Sequence, residues 1–222
     1  MNIVEALEKR HTVRRYTDQM ISNEICEVIK KRITELNIEY GLNMKLITGN
    51  KDAFGGFVKL FMTRGVRNFL ILSGNETNDL EEKLGYCGID VALLAQQLGL
   101  NSWWVGGTYN KEKVKKMIQA STNGKVVGII ALGYGANQGK LHKSKKVEEV
   151  SEYKGTAPEW FTKGVQTALL APTAMNKQAF VLKGNRNKVA ISCDNGVYTN
   201  IDKGIVKYCF EIGAGKENFE WV

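Results

Sequence analysis

The chain has 222 residues, 43% hydrophobic and 24% charged, with four Trp, eight Tyr and eight Phe. That composition excludes a disordered or low-complexity polymer and suits one large domain or two small, closely packed ones. A formal net charge of +8 leaves three anionic partners open, namely nucleic acid, a membrane surface or a phosphorylated small molecule.

The opening Met1-Asn2-Ile3-Val4-Glu5 places an acid where a signal peptide would be basic, and no apolar run approaches the roughly 18 residues that span a bilayer. Cys26, Cys87, Cys193 and Cys209 form no CxxC pair, and His11 and His142 give no metal-ligand spacing. Together these features predict a reduced, cytoplasmic chain with no metal and no membrane contact.

Ile3, Val4 and Leu7 predict a short helix ending at Arg10, followed by the basic connector His11-Thr12-Val13-Arg14-Arg15-Tyr16. Ser22 as N-cap, Glu24, and then Ile25, Val28, Ile29, Ile33 and Leu36 at helical spacing predict a second helix. Strands follow over 44–48 and 68–72, the second closed by Ser73-Gly74-Asn75, with a short helix between them around Phe57 to Met62. Residues 79–98 are apolar on nearly all sides and predict a buried helix. A strand over 102–105, a basic surface helix over 111–120 and a buried strand over 126–132 come next. Beyond a polar basic stretch, Thr156 as N-cap with Pro158 and Glu159 predicts a helix to Leu170. Strands over 179–183 and 188–192, a helix over 202–211 and a strand over 218–221 complete an α+β chain.

An internal repeat accompanies this order. Gly88-Ile89, Gly99 and Trp103 match Gly204-Ile205, Gly215 and Phe219 at a constant offset of 116, and residues 46–50 resemble 181–185 at an offset of 135. The expectation is a single domain over 1–222 with two pseudo-repeated halves, about 1–135 and 147–222, although chance apolar patterning explains the match equally well.

Arg10, Arg14 and Arg15, with the Thr12 hydroxyl, offer forked donors suited to a phosphate dianion, and Lys143-Ser144-Lys145-Lys146 adds cations from a distant stretch. Taken alone, each cluster is more often solvated surface. Gly106-Gly107 and Gly133-Tyr134-Gly135 sit at strand ends, which are more often plain turns, and neither GxGxxG nor GxxxxGK[ST] is present. Without a GxSxG, and with its cysteines dispersed among apolar residues, an enzyme of this sequence would borrow its chemistry from a cofactor.

Arg10-His11-Thr12-Val13-Arg14-Arg15-Tyr16, the run from Gly88 to Gly107, the strand 126–135 and His142-Lys143-Ser144-Lys145 resemble, in order and spacing, the FMN-dependent nitroreductase superfamily. That family's [SA]-P-[ST]-x-x-N-x-Q-x-[WF] loop is missing after the second helix. It stands instead at Ala171-Pro172-Thr173-Ala174-Met175-Asn176-Lys177-Gln178-Ala179-Phe180, which is similar to a subgroup built from two related halves.

The resemblance implies an α+β nitroreductase-like fold, a mixed or antiparallel central sheet flanked by helices, and a homodimer with FMN at its interface. It assigns Arg10, His11, Thr12, Arg14, Lys143 and Lys145 to the phosphate and ribityl chain, Val105, Gly106 and Gly107 to the ring edge, and Pro172, Thr173, Ala174, Met175, Asn176 and Gln178 to the flavin surroundings. Flavin N5 would carry hydride from NADH or NADPH to a flat acceptor such as a nitroaromatic or quinone by a ping-pong sequence, with no catalytic side chain. Trp103, Trp104, Phe54, Phe57 and Phe61 are candidates for lining the slot. The alternatives are a flavin-binding protein without turnover, acting as a store or redox sensor, and, on charge alone, a nucleic-acid binder.

Overall fold

A computed structural model describes residues 1–51, 53, 63–118 and 124–222. The expected helix around 57–62, with Phe54, Phe57 and Phe61, lies outside them.

The chain begins with α1 (Ile3–Lys9), started by a capping box in which Asn2 and Glu5 satisfy each other's backbone N–H. Its buried side is Ala6 and Leu7, while Ile3 and Val4 stay exposed, so the expected apolar stripe is narrower than the residue types suggested. Helix α2 (Asn23–Tyr40) starts at Ser22 as expected and stops at Gly41, whose φ of 66° is the left-handed conformation that ends helices.

β1 (Lys45–Ile47), β2 (Asn68–Asn75), β3 (Asn101–Val105) and β4 (Gly124–Gly133) form an antiparallel sheet in the order β1-β2-β4-β3. β2 does not stop at Leu72. A bulge between Leu72 and Ser73 lets it run on to Asn75. Both faces of this sheet are covered, which is why its central strands are continuously apolar. Leu70, Leu72, Ile130 and Leu132 face one core with α2, while Phe69, Ile71, Ile129 and Ala131 face another with Val13, Tyr16 and Trp103.

Helix α3 (Leu80–Gln97) is buried on two sides, between that sheet and the rest of the chain. Helix α4 (Lys111–Met117) carries the basic surface run. After β4 come α5 (Val147–Val150), β5 (Ser151–Tyr153), α6 (Glu159–Ala168), β6 (Phe180–Asn185), β7 (Lys188–Cys193), α7 (Thr199–Ala214) and β8 (Glu220–Trp221). The second sheet, ordered β5-β6-β7-β8, is mixed: β6 and β7 pair antiparallel, and β5 and β8 join them in parallel. Helix α6 is capped by Pro158 and not by the expected Thr156, because proline holds the preceding residue extended and its own carbonyl receives the Phe161 N–H at 3.1 Å.

Helices α3 and α7 cross in close contact. A Cβ added to Gly85 would lie 2.1 Å from the Ile201 carbonyl oxygen, and one on Gly204 would lie 1.9 Å from the Glu82 carbonyl oxygen. Each glycine thus sits over the carbonyl three residues before the other, a reciprocal contact that no larger side chain permits. Among the described residues no helix is long and apolar enough to cross a membrane.

Candidate functional site

The basic connector is not loose. Arg10 caps α1 through its N–H to the Ala6 carbonyl, the Val13 N–H bonds the Ser102 carbonyl at 3.1 Å, and the Tyr16 N–H bonds the Arg64 carbonyl at 2.8 Å. These bonds tie the connector to α1, to β3 at Ser102 and to Arg64 before β2, and the Arg14 guanidinium lies 5.5 Å from the Trp103 ring centroid.

A second loop then passes over the connector. Asn101 holds its start, accepting the Gly135 N–H at 2.9 Å and donating to the Gln138 side chain at 3.0 Å. At Gly139, with φ of 71°, an added Cβ would be 2.7 Å from the His11 Cβ, so only glycine lets the loop come this close. That approach delivers Lys140 and His142 to the connector.

The result is a cavity of about 580 Å³, within the usual range of small-molecule sites. Arg10, His11, Thr12 and Arg14 line it from the connector, Val105, Gly106 and Gly107 from the end of β3, and Pro172, Thr173, Ala174, Met175 and Asn176 from the C-terminal loop. Trp103 and Trp104 line it as well.

Three expected residues do not reach it. The Lys143 carbonyl receives the Asn176 amide at 2.7 Å, and the Lys145 ammonium is taken by the Gln178 carbonyl at 2.9 Å. Gln178 is buried as a brace. Its side chain receives the Lys145 N–H at 2.7 Å and donates to the Leu169 carbonyl at 2.8 Å, while its own N–H bonds Thr173 Oγ1 at 3.1 Å. These bonds hold a loop in which Met175, Asn176 and Gln178 all have left-handed backbones, with φ of 53°, 53° and 46°.

Sequence reasoning missed Lys140, His142, Tyr198, Ile201, Asp202 and Ile205, all of which line the cavity. Tyr198 explains the glycine pair in part: a Cβ on Gly106 would lie 2.4 Å from its ring and one on Gly107 3.0 Å from its hydroxyl.

The electrostatics point to an anion. Arg10 is 4% exposed, and its Nε and Nη1 are buried without a hydrogen-bond partner. Burial pushes its pKa down from 12.5 to about 10, opposed only by the nearby Cys209. His142 Nδ1 is likewise buried and unpartnered, and burial, Arg10 and His11 together hold this imidazole below the usual histidine range. The Arg10 donors, so placed against a cavity, lack an acceptor.

The cysteines are poor nucleophiles here, since burial raises the Cys87 and Cys209 thiols to about 12 and the Cys193 thiol to about 11. Among the described residues no group of three His, Cys, Asp or Glu could hold a metal ion.

The family model described as "Putative TM nitroreductase" matches residues 2–214. The chain belongs to this nitroreductase family. Among solved structures, it is similar to a Thermotoga maritima protein described as a putative nitroreductase, at 19% identity and a TM-score of 0.70 over 96% of this chain and 83% of that one. It is also similar to a Desulfovibrio desulfuricans putative nitroreductase in complex with FMN (17% identity, TM-score 0.54, 68% of this chain and 95% of that one). A Streptococcus mutans nitroreductase-like protein matches at 13% identity and a TM-score of 0.55, over 67% and 96% of the two chains. Comparison with curated proteins gives no match. These likenesses show that the α+β fold is nitroreductase-like.

Proposed function

We propose that the cavity holds FMN and that the chain is an FMN-dependent oxidoreductase. The observation that carries this reading is the Arg10 guanidinium, buried at the cavity wall with two nitrogens unpartnered. A phosphate monoester supplies the missing acceptor oxygens and charge. His11, His142 and Lys140 stand in the same wall, and the FMN complex of the Desulfovibrio relative agrees in kind. When bound, the flavin supplies hydride uptake and release at N5, from NADH or NADPH to a flat acceptor such as a nitroaromatic or quinone, in a ping-pong sequence.

The protein's own contribution is binding and orientation. The Arg10 group fixes the anionic end, and the backbone N–H groups after Val105 are available to negative charge at the ring edge. Trp103, Trp104, Pro172 and Ile205 bound the slot with apolar surface that excludes water. No side chain is required as nucleophile, in keeping with the neutral, buried thiols.

Resemblance alone implies a homodimer with the flavin between subunits. In this reading Arg10, Gly106 and His142 from the first part of the chain and Pro172, Asp202 and Ile205 from the second line one cavity, so one chain suffices for one flavin, and the two halves take the parts that two subunits play.

Absorption spectroscopy tests the proposal. Protein incubated with FMN and desalted should keep a flavin spectrum that anaerobic NADH or NADPH bleaches. A colourless protein with no acid-extractable flavin would overturn it, and bound flavin that neither nicotinamide bleaches would favour a flavin store.

A further inference from the structure

One acid lines the cavity, and the flavin chemistry leaves it unused. Asp202 lies in the first turn of α7, one turn after Tyr198, and its N–H bonds the Tyr198 carbonyl at 2.9 Å. Residues four apart share a helix face, so Asp202 and Tyr198 line the cavity together, Tyr198 against Gly106 and Gly107 and Asp202 against Ala174 of the C-terminal loop. The five basic side chains of the wall, Arg10, His11, Arg14, Lys140 and His142, come instead from the connector and the loop laid over it.

Among the described residues the Asp202 carboxylate has one donor, the Ala174 N–H, 3.0 Å from Oδ1 and 2.9 Å from Oδ2. Among the described residues no cation pairs with it. Lys203, next in sequence, is held by Glu82 at 2.8 Å, and Cys193, from β7, is a neutral thiol. Asp194, at the end of β7, adds only like charge in this neighbourhood. Burial without a counter-ion raises Asp202 from 3.8 to about 6, and the Ala174 bond only partly offsets this.

The tie to Ala174 requires an oxygen acceptor and not a charge, and an amide would serve it equally. A carboxylate kept ionised near neutral pH against burial, with lone pairs free and a cavity in front, is matched by a ligand bearing a donor or a positive charge.

We infer that Asp202 sets the charge selectivity of the acceptor end of the cavity, favouring cationic acceptors and those with a hydrogen-bond donor and turning away carboxylates. This rests on the oxidoreductase reading, and it names a class of acceptor that the reading leaves open.

The test uses 4-nitrobenzylamine, 4-nitrobenzyl alcohol and 4-nitrobenzoate as a cationic, neutral and anionic set of similar shape. Their binding is followed by calorimetry on the flavin-loaded and on the flavin-free protein, with flavin content read by absorbance in the same samples. At about pH 7.5 the flavin-loaded wild type, its basic wall occupied by the phosphate, should bind the amine at least about tenfold more tightly than the carboxylate. In Asp202→Asn, which keeps the acceptor for Ala174, that ratio should fall to within about threefold.

Lowering the pH through about 6 should erode the preference more in wild type than in the variant, and that difference separates Asp202 from His11 and His142, common to both. An equal wild-type affinity for amine and carboxylate, or an unchanged ratio in Asp202→Asn, overturns the inference. Should Asp202→Asn fail to fold, Asp202→Ser takes its place in the same comparison, and an unchanged ratio there overturns the inference. Absent flavin binding refutes the function reading, while the change in that ratio between wild type and Asp202→Asn on flavin-free protein still decides for or against Asp202.

Discussion

Replacing Arg10 by methionine removes a buried charge and keeps most of the side-chain volume. In the folded protein the Arg10 pKa falls from 12.5 to about 10. At about 1.4 kcal/mol for each tenfold change in acid constant, the fall corresponds to about 3 kcal/mol. The sign follows from a lowered basic pKa. Below both values the group is charged in the folded and unfolded states, so the full cost falls on the folded state at neutral pH and disappears only above about 10.

Flavin-free Arg10→Met should therefore unfold in urea with a free energy about 1–3 kcal/mol higher than wild type, after some loss of packing. Its affinity for FMN should drop about a hundredfold or more, since hydrogen bonds to a charged group contribute about 1.5–3 kcal/mol each. Riboflavin, which lacks the phosphate, should bind wild type and variant alike. A variant that is less stable without flavin, with an unchanged ratio of FMN to riboflavin affinity, would refute the assignment of Arg10 to a phosphate.

Gly204→Ala drives a methyl to 1.9 Å from the Glu82 carbonyl oxygen and should lower stability by about 3 kcal/mol or more in urea unfolding, because two helix backbones must separate. Gly106→Ala meets the Tyr198 ring at 2.4 Å, and its loss of about 1–3 kcal/mol should be largely recovered in the double variant with Tyr198→Ala, read by the same unfolding curves as a coupling energy. Gln178→Ala frees the Lys145 N–H and the Leu169 carbonyl, and should cost about 1–3 kcal/mol and raise the proteolytic sensitivity of the 171–178 loop. For Asp202, a raised carboxyl pKa gives the folded state a gain that is complete below 3.8 and lost as pH rises through about 6. Asp202→Asn should accordingly gain stability over wild type as the pH rises from about 3 to 7, by at most about 3 kcal/mol, and an unchanged difference across that range would contradict the burial argument.

The parts of the fold that depend on local pattern were legible. Ser22 announced α2, and the all-round apolar run announced α3 as a buried helix. The connector was legible as a motif, but its attachment to β3 through Ser102 was not, since backbone pairing leaves no mark on residue type.

Lys143 and Lys145 were assigned in place of Lys140 and His142 because an irregular stretch has no periodicity from which to read direction. Gly139, which brings that loop onto His11, was the one residue that could have distinguished them. Tyr198 and Asp202 escaped because the expected helix began only at 202, whereas α7 starts at Thr199, after Tyr198, and turns Ile201, Asp202 and Ile205 to the cavity. The glycine pair was recognised without its neighbour. Only the folded chain shows Tyr198 against it.

The most direct test of the central claim is the equilibrium titration of FMN into monodisperse, flavin-free protein, with flavin fluorescence and molecular mass recorded on the same sample. The account predicts saturation at one FMN per chain, independent of any association between chains, and loss of that binding in Arg10→Met. Absence of saturable FMN binding, or binding that requires two chains for each flavin, would contradict it.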